Sequence, residues 1–120
     1  MKVLCPYCHA PAKLTDSQCV YARSYGMIWI CFPCRAWVGV HKNSKANVPL
    51  GRLANAELRQ WKQRAHAAFD PLWKEGDMRR KQAYAWLAER MGIEKNKCHI
   101  GMFDVAECKR VVEIMKEQNA

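Results

Sequence analysis

The sequence predicts an α+β fold in which a short antiparallel β-sheet is followed by three helices. The first 41 residues contain short segments rich in Val, Ile, Tyr and Trp, separated by turn residues, which is typical of strands. After residue 51 the apolar residues recur at three- and four-residue steps, which indicates helices that bury one face. The change in periodicity therefore separates a β-rich beginning from a helical remainder.

Three strands are expected in the first part, at Gln18–Arg23, Met27–Cys31 and Ala36–His41. The turn before the second strand contains Gly26, which can adopt a positive φ. Residues 42–51, KNSKANVPLG, show no periodicity and predict a linker. We therefore predict a ribbon over residues 1–45 and a helical part over residues 46–120 that packs with it as one compact unit.

The first helix is expected to follow Asn55, a residue type that caps helices, and to end at Asp70-Pro71. Its apolar stripe consists of Leu58, Trp61, Ala65, Ala68, Phe69 and Leu72.

The second helix is expected to begin near Asp77 and to stop at Gly92. The third opens at Asp104, with Glu107 three residues later as in a capping box. The two apolar stripes consist of Tyr84, Leu87, Ala88 and Met91, and of Cys108, Val111, Val112 and Met115.

Four cysteines have the spacing of a metal site: C-P-Y-C at residues 5–8, 22 intervening residues, then C-F-P-C at residues 31–34. Two such turns can place four thiolates in the tetrahedron that zinc prefers. We predict one zinc ion bound by Cys5, Cys8, Cys31 and Cys34. Four thiolates leave no open position for water, so the metal is expected to be structural. His9 is an alternative ligand, although a solvent-side role in contacting phosphate fits it better.

The remaining cysteines are Cys19, Cys98 and Cys108. We expect them to be small core residues, and the alternative is a second metal site that includes His99. No signal peptide precedes the first cysteine pair, and no stretch approaches the roughly 20 apolar residues of a membrane span. The chain is therefore expected in the cytoplasm, where thiols stay reduced, without a membrane partner.

Charge is unevenly distributed along the chain. The formal net charge is +9, and residues 1–50 contain six Lys or Arg against the single acid Asp16. Such a field attracts polyanions and gives salt-sensitive affinity for nucleic acid. The alternative is that the charge only maintains solubility.

Candidate contact residues are cations and aromatic side chains off the apolar stripes, since rings stack on bases and cations hold phosphates. Arg23 and Arg35 are expected beside the Cys-x-x-Cys turns and Tyr25 at the hairpin turn, whereas Trp29 and Trp37 are expected mostly in the core. A solvated surface is the alternative interpretation for the helix residues. The candidates are Arg23, Tyr25, Arg35, Lys42, Lys45, Arg59, Lys62 and His66.

Catalysis has little support in the sequence. An HNH-like nuclease would combine Cys-x-x-Cys pairs with His41 or His66, but no histidine other than His9 lies between the two pairs. Carboxylates that could hold magnesium are scarce near the ribbon. We therefore expect no enzymatic activity and no small-molecule substrate.

The strings WICFPCRAWVGVH, VPLGRLANAELRQWKQRAHAAFDPLW, QAYAWLAERMG and CHIGMFDVAEC resemble a family of small zinc-finger-containing proteins of phages and prophages, whose function is unassigned. The resemblance covers most of the chain. It implies a four-cysteine finger on Cys5, Cys8, Cys31 and Cys34 followed by helices, in the cytoplasm of a bacterial host. One departure is Asn55, where the family motif has Asp, and Asn caps a helix equally well.

The sequence therefore favours a non-enzymatic zinc-ribbon protein that binds nucleic acid, with DNA preferred, through a basic surface. The alternative is an adaptor that binds a host or phage protein. An HNH-like nuclease ranks below both.

Overall fold

A computed structural model describes residues 1–119 of the chain and confirms the α+β class. A three-stranded antiparallel sheet comes first, and three helices of at least 12 residues follow it. The chain divides into two compact units, Met1–Ala56 and Glu57–Ala120. That the two units form one compact body stays a prediction.

The sheet of the first unit consists of β1 (Lys13–Asp16), β2 (Met27–Cys31) and β3 (Ala36–Gly39), in that order. The second and third strands confirm the sequence prediction. The strand predicted at Gln18–Arg23 is wrong, because residues 17–19 form a 3-10 turn and β1 precedes them. The carboxylate of Asp16 accepts a hydrogen bond from the Gln18 amide at 2.8 Å, and this local bond competes with a strand.

Residues 42–51 were predicted as a linker, but they belong to the first unit. Residues 41–48 form a loop closed by the bond from the His41 amide to the Val48 carbonyl, 2.9 Å long. The chain then returns along β3, where the Leu50 amide donates to the Gly39 carbonyl and Trp37 pairs with Ala54. The first unit therefore continues to Ala56, beyond the residue 45 that the sequence suggested.

The core of the first unit is small. It centres on Trp29, whose indole N–H donates to the Asn47 carbonyl at 2.7 Å and so fastens the 41–48 loop. Its main cluster of buried residues consists of Cys5, Trp29, Cys31, Ala36, Val38 and Leu53. Trp37, which was also expected in the core, is only half-buried.

The second unit contains α1 (Ala56–Phe69), the single turn α2 (Pro71–Lys74), α3 (Arg80–Met91) and α4 (Val105–Gln118). The predicted helices correspond to α1, α3 and α4. The second helix starts at Arg80 and not near Asp77, and it ends as predicted at Gly92, which has a φ of 70°.

The predicted stripes form the core of the second unit. Phe69 and Tyr84 are buried with their ring centroids 4.7 Å apart. Among the stripe residues, Leu58, Ala65, Leu87, Ala88, Cys108, Val111 and Met115 are also buried. Across residues 1–119, no helix combines the length and the apolar character that a membrane span requires.

The start of α4 confirms the predicted capping box. The Asp104 carboxylate accepts from the Glu107 amide at 2.8 Å, and the Glu107 carboxylate accepts from the Asp104 amide at 3.1 Å. Two amides that the helix itself leaves unpaired are thereby satisfied.

We expect Asp104→Ala to lower the free energy of unfolding by about 1 kcal/mol, because the alanine leaves the Glu107 amide without its acceptor. Urea unfolding followed by the helical circular dichroism signal measures this. The matched control is Glu113→Ala, which removes an exposed carboxylate 3.4 Å from Arg110 on the same helix. Its effect should stay within about 0.5 kcal/mol, and equal losses for the two variants would contradict the capping role.

Candidate metal centre and loops of the ribbon

The four predicted cysteines meet at one point. The sulfurs of Cys5, Cys8, Cys31 and Cys34 all lie within 4.8 Å of one another, and this is the set of potential metal ligands found among residues 1–119. Cys8 and Cys31 are 3.6 Å apart from sulfur to sulfur. A tetrahedron with zinc–sulfur bonds of about 2.3 Å requires sulfur separations of about 3.8 Å. The cluster therefore fits one structural zinc ion.

The backbone of each Cys-x-x-Cys turn supports its thiolates. The N–H of Ala10 donates to the Cys8 sulfur, which lowers the pKa of that thiol. The N–H of Cys34 likewise donates to the Cys31 sulfur, which lowers the pKa of that thiol. Burial and the sulfurs of Cys8 and Cys5 outweigh this effect, so the pKa of Cys31 is raised overall. These are the amide donors that orient thiolates around a metal.

The Cys34 thiol does not ionise readily by itself. The hydrogen bond with Cys8, followed by burial, raises the pKa of Cys34 to about 12. A divalent cation reverses this, because it attracts every thiolate and displaces the protons. The arrangement therefore suits a bound metal and disfavours a free cluster of four anions.

The residue after each cysteine pair has left-handed backbone. His9 has a φ of 66° and Arg35 a φ of 50°, so the two turns place corresponding residues in the same conformation. Both side chains are exposed. The metal-ligand group contains the four sulfurs and no atom of His9, so the His9 alternative does not match this geometry.

The cysteine cluster occupies one end of the sheet. Cys31 pairs with Ala36 at that end, whereas Asp16, Met27 and Gly39 lie at the other. Two loops, residues 17–26 and 41–48, extend from this second end, and we call them the distal loops. Arg23 therefore lies in a loop opposite the cluster, which corrects the expectation that it stands beside a Cys-x-x-Cys turn.

Side-chain hydrogen bonds order the first distal loop. Buried Ser17 accepts from the Tyr25 amide through its hydroxyl, at 2.7 Å, and its own amide donates to the Gly26 carbonyl. The Ser24 hydroxyl donates to the Asp16 carboxylate at 2.9 Å. Gly26 closes the loop with a φ of 106°, which a residue with a Cβ adopts only under strain.

The ordered loop displays an aromatic cluster formed by Tyr21, Tyr25 and Trp37. Tyr21 contacts Tyr25 edge to face at 5.5 Å and Trp37 at 6.3 Å between centroids. The guanidinium of Arg23 lies 5.1 Å from the Tyr25 centroid, and its Nε donates to the Tyr25 hydroxyl at 3.1 Å. Tyr25 remains 66% exposed.

The predicted contact residues are thus divided among three places. Arg23, Tyr25, Lys42 and Lys45 lie on the distal loops, and all four are exposed. Arg35 lies at the cysteine end of the sheet.

The other three candidates belong to α1 of the second unit. The Lys62 ammonium donates to the Gly101 carbonyl at 2.7 Å, so this cation has a partner within the unit. His66 Nδ1 lies 3.2 Å from the Asp70 carboxylate, the local pair that i,i+4 spacing permits. Arg59 is half-buried.

Sequence reasoning missed the residues that hold the first distal loop: Asp16, Ser17 and Ser24. The sequence did contain a signal for this loop. Asp and Ser stand at both ends of residues 16–24, and such a composition favours turns over strands. Tyr21, which belongs to the aromatic cluster, was not among the candidate contact residues.

The three other cysteines differ from one another. Cys98 and Cys108 are core residues as predicted, and burial raises the pKa of Cys98 to about 11, with the charge of Glu107 adding to the effect. Cys19 was also expected in the core, but it is exposed in the 3-10 turn of the first distal loop. The prediction for Cys19 is therefore wrong, because the strand that would have buried it does not form.

A family model described as a zinc-finger-containing domain matches residues 1–118. No curated protein matches the chain, and no solved structure does.

We expect one zinc ion per chain, and we expect Cys5→Ser and Cys34→Ser to lose it and to unfold residues 1–56. The reason is that metal-binding energy is folding energy in a unit with so small a core. Elemental analysis and the amide dispersion of the first unit in NMR spectra measure both effects.

Cys19→Ser is the matched control for the zinc prediction, since Cys19 is exposed and outside the cluster. It should keep both the zinc and the fold. Purified wild-type protein with less than about half an equivalent of zinc would contradict the structural role.

Proposed function

The chain belongs to the family of zinc-finger-containing domains, and from this premise we propose that it binds nucleic acid through its distal loops without catalysing a reaction. The observation that carries the proposal is the Arg23–Tyr25 pair. A ring that is 66% exposed, with a guanidinium 5.1 Å from its centroid, is presented on a loop held by hydrogen bonds. An ordered, exposed ring loses little entropy when a base stacks on it.

The aromatic cluster suits unpaired bases. Bases stack on side-chain rings only where they are unstacked from their neighbours, in single strands, loops or ends. Tyr21 supports Tyr25 from the side, and the Trp37 indole N–H donates to the Tyr21 hydroxyl at 3.2 Å. The rings therefore brace one another, and Tyr25 offers a fixed stacking surface.

Charge adds to the stacking. Residues 1–56 contain seven Lys or Arg and one acid, Asp16, a net charge of 7 − 1 = +6. The Asp16 carboxylate already accepts bonds from the Gln18 amide and the Ser24 hydroxyl. Arg23, Lys42 and Lys45 on the distal loops therefore face no competing carboxylate from their own unit, and they are available for phosphates.

The chemistry of the centre supports the non-enzymatic part of the proposal. Four thiolates close the coordination of zinc, so no water is activated there. The DNA preference, the phage or prophage setting and the cytoplasm of a bacterial host remain parts of the proposal that rest on the family resemblance.

A second candidate function is docking on a host or phage protein at the cysteine end of the sheet. Leu4, Tyr7 and Phe32 lie beside or within the Cys-x-x-Cys turns and are 51%, 38% and 50% exposed. Exposed apolar residues grouped near one feature are typical of protein interfaces. An exposed apolar patch on the helices would also favour this function, but the helical unit exposes one large hydrophobic residue among those described, Met102.

We expect affinity for a labelled single-stranded oligonucleotide to fall steeply between about 50 and 200 mM salt, because each neutralised phosphate releases counterions. Tyr25→Ala should weaken binding roughly tenfold with an unchanged salt slope, since it removes stacking and no charge. Arg23→Gln should make the plot of log affinity against log salt concentration less steep, by about the amount expected for one phosphate contact. Fluorescence anisotropy across the salt series measures all three.

Lys116→Gln on α4 is the control for these variants, because it removes one positive charge from an exposed helix position. Its effect should remain below about twofold. Absence of DNA and RNA binding at low salt would refute the nucleic-acid proposal. Capture of a protein from nuclease-treated lysate that Phe32→Asp abolishes and Tyr25→Ala does not would favour the docking function instead.

A further inference from the structure

The second unit contains a cleft of about 830 Å³ between the first turns of α3 and the segment of residues 95–99. Its walls are strongly cationic. They include Arg79, Arg80, Lys81, Lys95 and His99, with Tyr84 at the base. None of the sequence-predicted contact residues lines it.

The positive charge of the cleft is not neutralised by the protein. No carboxylate belongs to its lining. Within residues 1–119, none of the cleft cations takes part in an ion pair. Four permanent cations around one concave surface repel one another unless an anion lies between them.

Arg80 is the best positioned of these cations. Its guanidinium lies 5.1 Å from the centroid of Tyr84 and 5.7 Å from that of Trp73. Two aromatic contacts restrict a side chain that would otherwise be mobile, and they leave its N–H groups free to donate. A guanidinium held in this way suits the paired oxygens of a phosphate.

Neutral donors complete the wall. The carbonyl oxygen of Gln82 accepts from the Arg79 amide at 3.0 Å, so its NH₂ group remains as a donor. Asn96 lies opposite on the 95–99 segment. The lining therefore offers several donors and no anionic acceptor, which selects against cations and favours a ligand with many acceptor oxygens.

We infer that this cleft binds a phosphate-bearing ligand of nucleotide size, either a free nucleotide or the phosphorylated end of a nucleic acid strand. Clefts of roughly 300–1,000 Å³ are typical of small-ligand sites. The inference goes beyond the proposed function, because it concerns the second unit and does not depend on the distal loops. It also departs from the expectation that the chain has no small-molecule ligand.

The test is an NMR titration of the zinc-loaded full chain with pyrophosphate, with ATP and with adenosine. Pyrophosphate and ATP should give saturable shifts of the amides of residues 79–85 and 95–99, and adenosine should bind at least roughly tenfold more weakly. Arg80→Gln should weaken ATP binding roughly tenfold. Arg110→Gln on α4, which lies outside the cleft lining, should leave it unchanged.

A second variant separates binding from folding. Lys95 is an exposed residue in a 3-10 turn. If Lys95→Gln also loses ATP affinity, altered packing of the rings that surround Arg80 cannot be the cause. Shifts that do not saturate by about 10 mM ATP, or equal effects of Arg80→Gln and Arg110→Gln, would overturn the inference.

Two oligonucleotides of the same sequence distinguish the sources of the phosphate. Tighter binding of the 5′-phosphorylated strand than of the 5′-hydroxyl strand, with the difference lost in Lys95→Gln, assigns the cleft to a strand end. Saturable ATP binding without that difference assigns it to a free nucleotide. Because Tyr25→Ala leaves this cleft intact, failure of the distal-loop proposal and failure of this inference are separately visible.

Discussion

The convergence of four thiolates on one metal is the interaction on which the first unit depends. Residues 1–56 bury only nine apolar residues and Ser17, and two of the nine are themselves ligands, Cys5 and Cys31. Units of this size seldom bury enough apolar surface to offset the entropy of ordering the chain. The pKa of the Cys34 thiol, raised to about 12 by its hydrogen bond with Cys8 and by burial, means that this thiol needs a cation to become a thiolate at neutral pH. Metal binding and folding are therefore one equilibrium here.

That constraint acts at one end of the sheet, while the features suited to recognition lie at the other. The cysteine turns fix where β2 ends and β3 begins. Because the strands pair in a fixed antiparallel register, the positions of Met27 and Gly39 at the distal end are fixed as well. From there Trp29, through its bond to the Asn47 carbonyl, fixes the second distal loop. The metal can therefore support a stacking surface that it does not contact.

Much of the fold was predictable because its signals are local. The cysteine spacing predicted the metal cluster, the Asp104–Glu107 pair predicted the start of α4, and Gly92 predicted the end of α3. The errors arose where contacts distant in sequence decide the structure. Residues 49–54 have no strand pattern, yet they pair with β3, and β1 has four residues with weak alternation. Side-chain bonds from Asp16 and Ser17 then turned a β-rich segment into an ordered loop.

The candidate interface was only partly predictable, because the sequence shows how many charged residues there are but not where they lie in space. The net positive charge suggested one basic surface, but the structure places the individual cations in different surroundings. Lys62 is bound to a carbonyl, Arg35 occupies a left-handed turn position beside the metal, and Arg23 lies against an exposed ring. Arg79, Arg80 and Lys81 oppose the dipole of their helix, which hints at an anionic partner in the sequence, but Lys95 carries no such signal, since the cleft forms from segments separated along the chain. Aromatic contact restricts the guanidinium groups of Arg23 and Arg80 and leaves their donors available, but Arg64 and Arg90 also contact rings, those of Trp61 and Trp86. What sets Arg23 and Arg80 apart is therefore the combination of a ring contact with a further feature, an exposed ring at Tyr25 and a cationic cleft around Arg80. A cation without a fixed position contributes attraction and little selectivity.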